Sequence, residues 1–141
     1  MKYLLDTNVI SETFKPDYNH NVRSFIEIID WRDLYIPAIT IGELNYGVEK
    51  LPHGRKKHEL SIWLYTSILK RFDGRIISLD SEVFIEWGKL CARVKRTLSF
   101  NDSVIAACAI AHNMFLVTRN IKDFDDIDGI NLLNPWEFGG E

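Results

Sequence analysis

The strongest constraint on this fold is an alternation along the chain: short apolar runs recur with longer helical stretches between them. Tyr3–Leu5, Leu34–Ile36, Arg75–Ile77 and Phe115–Val117 are too short for helices and read as buried strands, with Asn131–Leu133 a weaker fifth. Between them, Val22–Asp30, Val83–Val94 and Asp102–Ala111 read as helices. Ile41, Leu44, Val48 and Leu51 recur at helical spacing, and Leu60, Leu64, Ser67, Ile68 and Arg71 do so more loosely. Strands separated by helices predict a mainly parallel sheet covered on both faces, a three-layer α/β/α sandwich. In such open sheets, ligands bind beyond the carboxyl ends of the strands.

That rule directs attention to the residues just past each strand. In "YLLDTNVI" the apolar run stops at Asp6, Thr7 and Asn8, and a carboxylate beside a core is costly unless something binds its charge. Glu43 comes after "LYIPAITIG", Asp102 opens an Ala-rich helix in "LSFNDSVIAACAIA", and Asp123 comes after the fourth strand in "FLVTRNIKDF". A simpler account exists for two of them. "TIGE" (Thr40 to Glu43) and "SFND" (Ser99 to Asp102) both match a capping box, whose acid turns back to the first amide of its helix. Taken jointly, four carboxylates in one cleft repel one another unless cations neutralise them. Hard oxygen ligands favour Mg²⁺ or Mn²⁺ over zinc. The histidines form no zinc pattern: His53 and His58 are five apart, and His20 and His112 lack a nearby ligand partner. Such a site suits phosphodiester hydrolysis, in which a metal polarises the phosphate and lowers the pKa of bound water.

A length of 141 residues suits one domain, 1–141, able to bury its core without disulfides. The longest apolar run, Val104 to Ala111, is far too short to span a bilayer. The start shows no signal-peptide pattern, so a cytoplasmic protein is expected, with Cys91 and Cys108 as reduced core thiols. The net charge of −3 coexists with basic clusters at Arg55–Lys57, Lys70–Arg71 and Arg93–Arg96, which the charge pattern alone reads as solvated helix faces.

With these motifs assembled, the chain resembles PIN-domain ribonuclease toxins of the VapC/FitB type, from toxin–antitoxin pairs. The resemblance rests on "YLLDTNVI", "AITIGELNYGVEKL", "LSFNDSVIAACAIAHN", "FLVTRNIKDFDDI" and "INLLNPWE", in family order across nearly the whole chain. It implies a metal-dependent endoribonuclease whose acidic cluster maps onto Asp6, Glu43, Asp102 and Asp123, with Mg²⁺ or Mn²⁺ as cofactor. It further implies that Thr7, Thr118 and Asn120 orient those ligands, against the alternative of ordinary N-capping or Asx turns. The implied partners are an RNA substrate, a cognate antitoxin and a second copy of the chain in a homodimer.

Some readings stay open at this level. Asp125 and Asp126 compete with Asp123 for the fourth place, and "KRTLSFND" lacks a Gly that many relatives carry before the third acid. Gly42 and Gly47 suggest close helix packing, either between copies or within one. Trp31, Trp63 and Trp87 read as core or interface anchors. An alternative is a Mg²⁺-dependent phosphomonoesterase, although its motif wants a second Asp where Asn8 stands. Another is a non-catalytic RNA- or protein-binding PIN module.

Overall fold

The apolar runs form strands β1 (Tyr3–Leu5), β2 (Leu34–Pro37), β3 (Ile76–Ile77), β4 (Phe115–Val117) and β5 (Asn131–Leu133), each end within one residue of the sequence reading. The computed structural model describes residues 1–139. Its strands form one sheet in the order β3-β2-β1-β4-β5, with every neighbouring pair parallel. Arg75 lies just before the third strand, its amide donating to the Phe72 carbonyl at 2.7 Å while its carbonyl still accepts the Ile36 amide at 3.1 Å. Its guanidinium turns inward and donates to the carbonyls of Trp31, Leu34 and Arg71.

Helices α1 (Thr7–Phe14), α2 (His20–Ile28), α3 (Ala38–Glu49), α4 (Arg55–Ile62), α5 (Leu69–Arg71), α6 (Ser81–Arg93) and α7 (Phe100–Ala111) cover the sheet. A π-helical segment, Trp63–Ile68, joins α4 to α5 and coincides with the loosely periodic stretch of the sequence. The period-two geometry of a strand explains the three layers. Leu4 and Leu116 point to one face and pack with Val83 and Leu90 of α6 and the Val104–Ala109 run of α7. Their neighbours Leu5 and Val117 point to the other, against Val9 and Ile10 of α1, Val22 and Phe25 of α2 and Leu44 of α3. Each such aliphatic side chain contributes about 1.5–3 kcal/mol by leaving water. Residues Ser103 to Ala109 of α7 are all buried, so their small side chains let that helix sit deep against the sheet.

Several expectations are corrected. Helix α1 was not anticipated, because its apolar signal is confined to Val9 and Ile10. Helix α3 begins at Ala38 after an extended Pro37, so Thr40 and Glu43 lie inside the helix and "TIGE" is no capping box. "SFND" keeps half of one, since the Ser99 hydroxyl accepts the Asp102 amide at 3.1 Å. Helix α2 starts earlier than read, at His20, where the Asn19 side chain accepts the amides of Asn21 and Val22. Cys108 is buried but Cys91 is exposed: Leu90 faces the core, and one helical step of about 100° carries Cys91 to solvent. A Cβ built on Gly42 or Gly47 meets nothing within 4 Å, so neither glycine serves close packing among the described residues. Trp31 is largely exposed over the Arg75 guanidinium, whereas Trp63 packs edge-on against Phe14, and Trp87 bonds the Ser103 hydroxyl beside the core. Among the described residues no helix is long and apolar enough to cross a membrane.

Candidate active site

The chain leaves β1 for β2 and β3 on one side of the sheet, then returns to lay β4 on the other. The crevice between β1 and β4 is therefore the topological switch point. Leu5 pairs with Val117, which sets Asp6 and Thr118 side by side just beyond the two strand ends. The Asp6 amide donates to the Val117 carbonyl at 2.9 Å. Asp6 also caps α1, its Oδ1 accepting the Thr7 amide at 2.7 Å. Its Oδ2 accepts the fully buried Thr118 hydroxyl at 2.7 Å. That hydroxyl in turn accepts the Asn120 amide at 3.1 Å, and the Asn8 side-chain amide lies 3.4 Å from both Asp6 Oδ2 and Thr118.

Glu43 reaches the same place from the second turn of α3. The Thr7 hydroxyl donates to its Oε1 at 2.6 Å and stands 3.1 Å from the Thr40 hydroxyl. Asn101, at the start of α7, donates to Oε2 at 2.9 Å. Asp102 is the next residue along. Asp6, Glu43 and Asp102 thus line one open cleft of about 470 Å³. Asp123 stands one step away, lining an adjoining cavity with Asn120 and Asp125. Its charge nonetheless reaches Asp102. Asp126 is taken up by a two-point ion pair with Arg96, at 2.7 and 2.9 Å, and the same guanidinium holds the Asp123 carbonyl. Of the two competitors for the fourth place, only Asp125 remains beside Asp123.

The electrostatics result from this crowding. Burial pushes the Asp6 carboxyl above its ordinary value; bonds from Thr118 and Thr7 oppose the rise, and the charges of Glu43 and Asp102 add to it. Burial likewise raises Asp102, opposed by Ser99 and reinforced by Asp123 and Glu43. Among the described residues no three His, Cys, Asp or Glu side chains form a ready-made ion cage. An open cleft with hard carboxylate oxygens instead fits a hydrated Mg²⁺- or Mn²⁺-type cation, which keeps several of its waters and takes few protein ligands. The Asp6 and Glu43 carboxylates are each held by a hydroxyl and an amide, the arrangement that orients metal ligands.

The sequence from residue 3 to residue 130 matches the PIN domain family model. This chain belongs to the PIN-domain family. It falls among the VapC/FitB toxins. It is 37% identical over 136 residues to toxin FitB of Neisseria gonorrhoeae, covering 94% of this chain and 97% of that protein. It is 32% identical to the VapC ribonuclease Y4jK of Sinorhizobium fredii, covering 95% and 97% of the two chains. The crystal structure of FitAcB from N. gonorrhoeae superposes with a TM-score of 0.89 at 36% identity, covering 96% of this PIN domain and 99% of that chain.

Other residues of this PIN domain's cleft escaped sequence reasoning. Glu12, near the end of α1, is buried on the cleft wall and held below its ordinary value, chiefly by the Asn19 amide at 2.8 Å. Arg119 and Trp136 border the same cleft. Asn101 had a signal, adjacency to Asp102. Glu12 and Trp136 had none, since only the folded turns of α1 and the chain end bring them in.

Proposed function

We propose that this PIN domain, taken as one domain over 1–141, is the ribonuclease toxin of a toxin–antitoxin pair and hydrolyses RNA phosphodiester bonds with a divalent metal. The observation that carries this reading is the meeting of Asp6, Glu43 and Asp102 in one cleft at the switch point, with Asp123 close enough to perturb Asp102. Asp6, Glu43, Asp102 and Asp123 would hold the ion, which is Mg²⁺ or Mn²⁺. When bound, such an ion supplies Lewis-acid polarisation of the phosphate and a nucleophilic water at neutral pH.

The chain's own groups do the rest. Thr118 and the Thr7 amide aim Asp6, Thr7 and Asn101 aim Glu43, and the Ser99 cap fixes the turn that presents Asp102. Asn120, tied to Thr118 through its amide, sits between the cleft and Asp123's cavity and keeps the fourth acid in register. Asp6 and Asp102 hold protons more readily than free aspartates, because burial and the neighbouring carboxylates disfavour their charged forms. The cognate antitoxin is expected to be a protein that blocks this cleft, and the chain to act as a cytoplasmic homodimer.

The test is cleavage of RNA by the purified chain with Mn²⁺ or Mg²⁺ and again with EDTA, beside a generic phosphomonoester. Metal-dependent RNA cleavage without phosphomonoester turnover is the expected result. Turnover of the monoester alone would favour the phosphatase reading, although the Asn8 amide beside Asp6 argues against it. Inertness towards both would leave a binding module.

A further inference from the structure

A cleft walled by Asp6, Glu43, Asp102 and Glu12 repels the polyanion it is meant to cut, so a cation must offset that repulsion where the strand enters. Two basic residues border the cleft. Lys15 is spent: its ammonium lies 2.9 Å from Glu12 Oε1, and the pair is neutral. Arg119 is different. Among the described residues no carboxylate pairs with its guanidinium, which lies instead over the indole of Trp136, 4.9 Å from the ring centroid. That indole is itself fixed, its residue's amide donating to Asn134 Oδ1 at 2.9 Å and its carbonyl accepting from Asn21 at 2.6 Å. Arg119 borders both the carboxylate cleft and the adjoining cavity of about 600 Å³ that holds Asp123.

Resting on the ribonuclease reading, we propose that Arg119, propped on Trp136, is the substrate anchor of this cleft, binding an RNA phosphate next to the scissile one. A guanidinium suits the task because its planar fork grips phosphate at two points. Propping it on a ring holds that fork without a direct ion pair; Glu12 on the cleft wall feels its charge but makes no contact pair with it. The position between the two cavities places the anchor on the path a single strand takes past the acids.

The experiment is a titration of a fluorescent single-stranded RNA oligonucleotide of mixed sequence, in the Asp102→Asn background so that the RNA stays intact, from about 50 to about 200 mM salt. Arg119→Gln is expected to weaken binding about tenfold and to lower the slope of log affinity against log salt by about 0.7, the share of one phosphate contact on a single strand. Arg119→Lys restores the slope but not the full affinity, and Trp136→Leu weakens binding while keeping the slope. Arg23, whose guanidinium lies 4.0 Å from the centroid of the Tyr18 ring and which lines neither cavity, is the matched control, and Arg23→Gln leaves binding unchanged. In an otherwise wild-type chain, Arg119→Gln raises KM far more than it lowers kcat and keeps the full metal-induced rise in Tm. Unchanged affinity and slope in Arg119→Gln, an equal loss in Arg23→Gln, or loss of the metal response would each overturn the anchor. If the parent chain neither binds nor cuts RNA, the ribonuclease reading falls and takes the anchor with it.

Discussion

Replacing Thr118 by Val removes one oxygen from beneath Asp6 and leaves the buried shape nearly intact. Thr118 is fully buried, and because Val is nearly isosteric with Thr the change opens no cavity. What is lost is the bond to Asp6 Oδ2 at 2.7 Å. A hydrogen bond to an ionised group contributes about 1.5–3 kcal/mol, which for a domain of this size corresponds to roughly 5–10 °C in melting temperature. The Asn120 amide also loses its acceptor, but Asn120 is exposed and water replaces it. The pH dependence is the sharper signature. Folded Asp6 titrates above its ordinary 3.8, so its contribution is complete in acid and is lost as pH rises through the folded value. Thr118 opposes that loss by favouring the charged form. Without the hydroxyl, Asp6 is raised further, and the deficit of the variant grows from acid towards neutral pH. Urea unfolding of both proteins across that range is the assay. A deficit of the same size at every pH would show that Thr118 matters only for packing.

Three other outcomes are expected. Asp102 is raised by burial and by Asp123 and Glu43, so the metal-free wild type loses stability as pH rises through its folded value. Asp102→Asn therefore melts higher than wild type at neutral pH without metal, gains less from Mn²⁺ and cuts RNA poorly; a lower melting point would refute the charge crowding. Asn101→Ala releases Glu43 Oε2, costing about 1 kcal/mol of stability but at least tenfold in RNA cleavage, measured as kcat/KM beside urea unfolding. A thiol reagent labels exposed Cys91 in the native chain and spares Cys108, whose thiol burial pushes up to about 12; double labelling before unfolding would contradict that burial.

The sheet was legible because its strands are apolar on both faces: Leu4, Leu5, Leu116 and Val117 announce themselves without context. The acids were legible because switch-point geometry makes a polar residue after a buried strand conspicuous, as at Asp6. Helix α1 was not, since a two-turn helix that buries only Val9, Ile10 and Glu12 carries too short a period to read. The start of α3 was obscured by a capping pattern that the fold does not use. Glu12 reaches the cleft only because α1 carries it there from its Asp6 cap, and Trp136 only because the chain end folds back across more than a hundred residues, whereas Arg119 stands between Thr118 and Asn120 and was within reach of the sequence. The ambiguity over Asp123 and its acidic neighbours needed Arg96, distant in sequence, to remove Asp126 from contention.

The central claim is that Asp6, Glu43, Asp102 and Asp123 act together as one metal-binding catalytic centre. The most direct measurement titrates Mn²⁺ into the purified chain while following melting temperature and RNA cleavage in the same samples. The account predicts that both rise with one half-saturation point. At a metal concentration about 100-fold above the dissociation constant, the stabilisation reaches roughly 2.7 kcal/mol. Single replacements of each acid by its amide shift or abolish the two responses together. Full cleavage in EDTA, or amide variants that keep both responses intact, would contradict it.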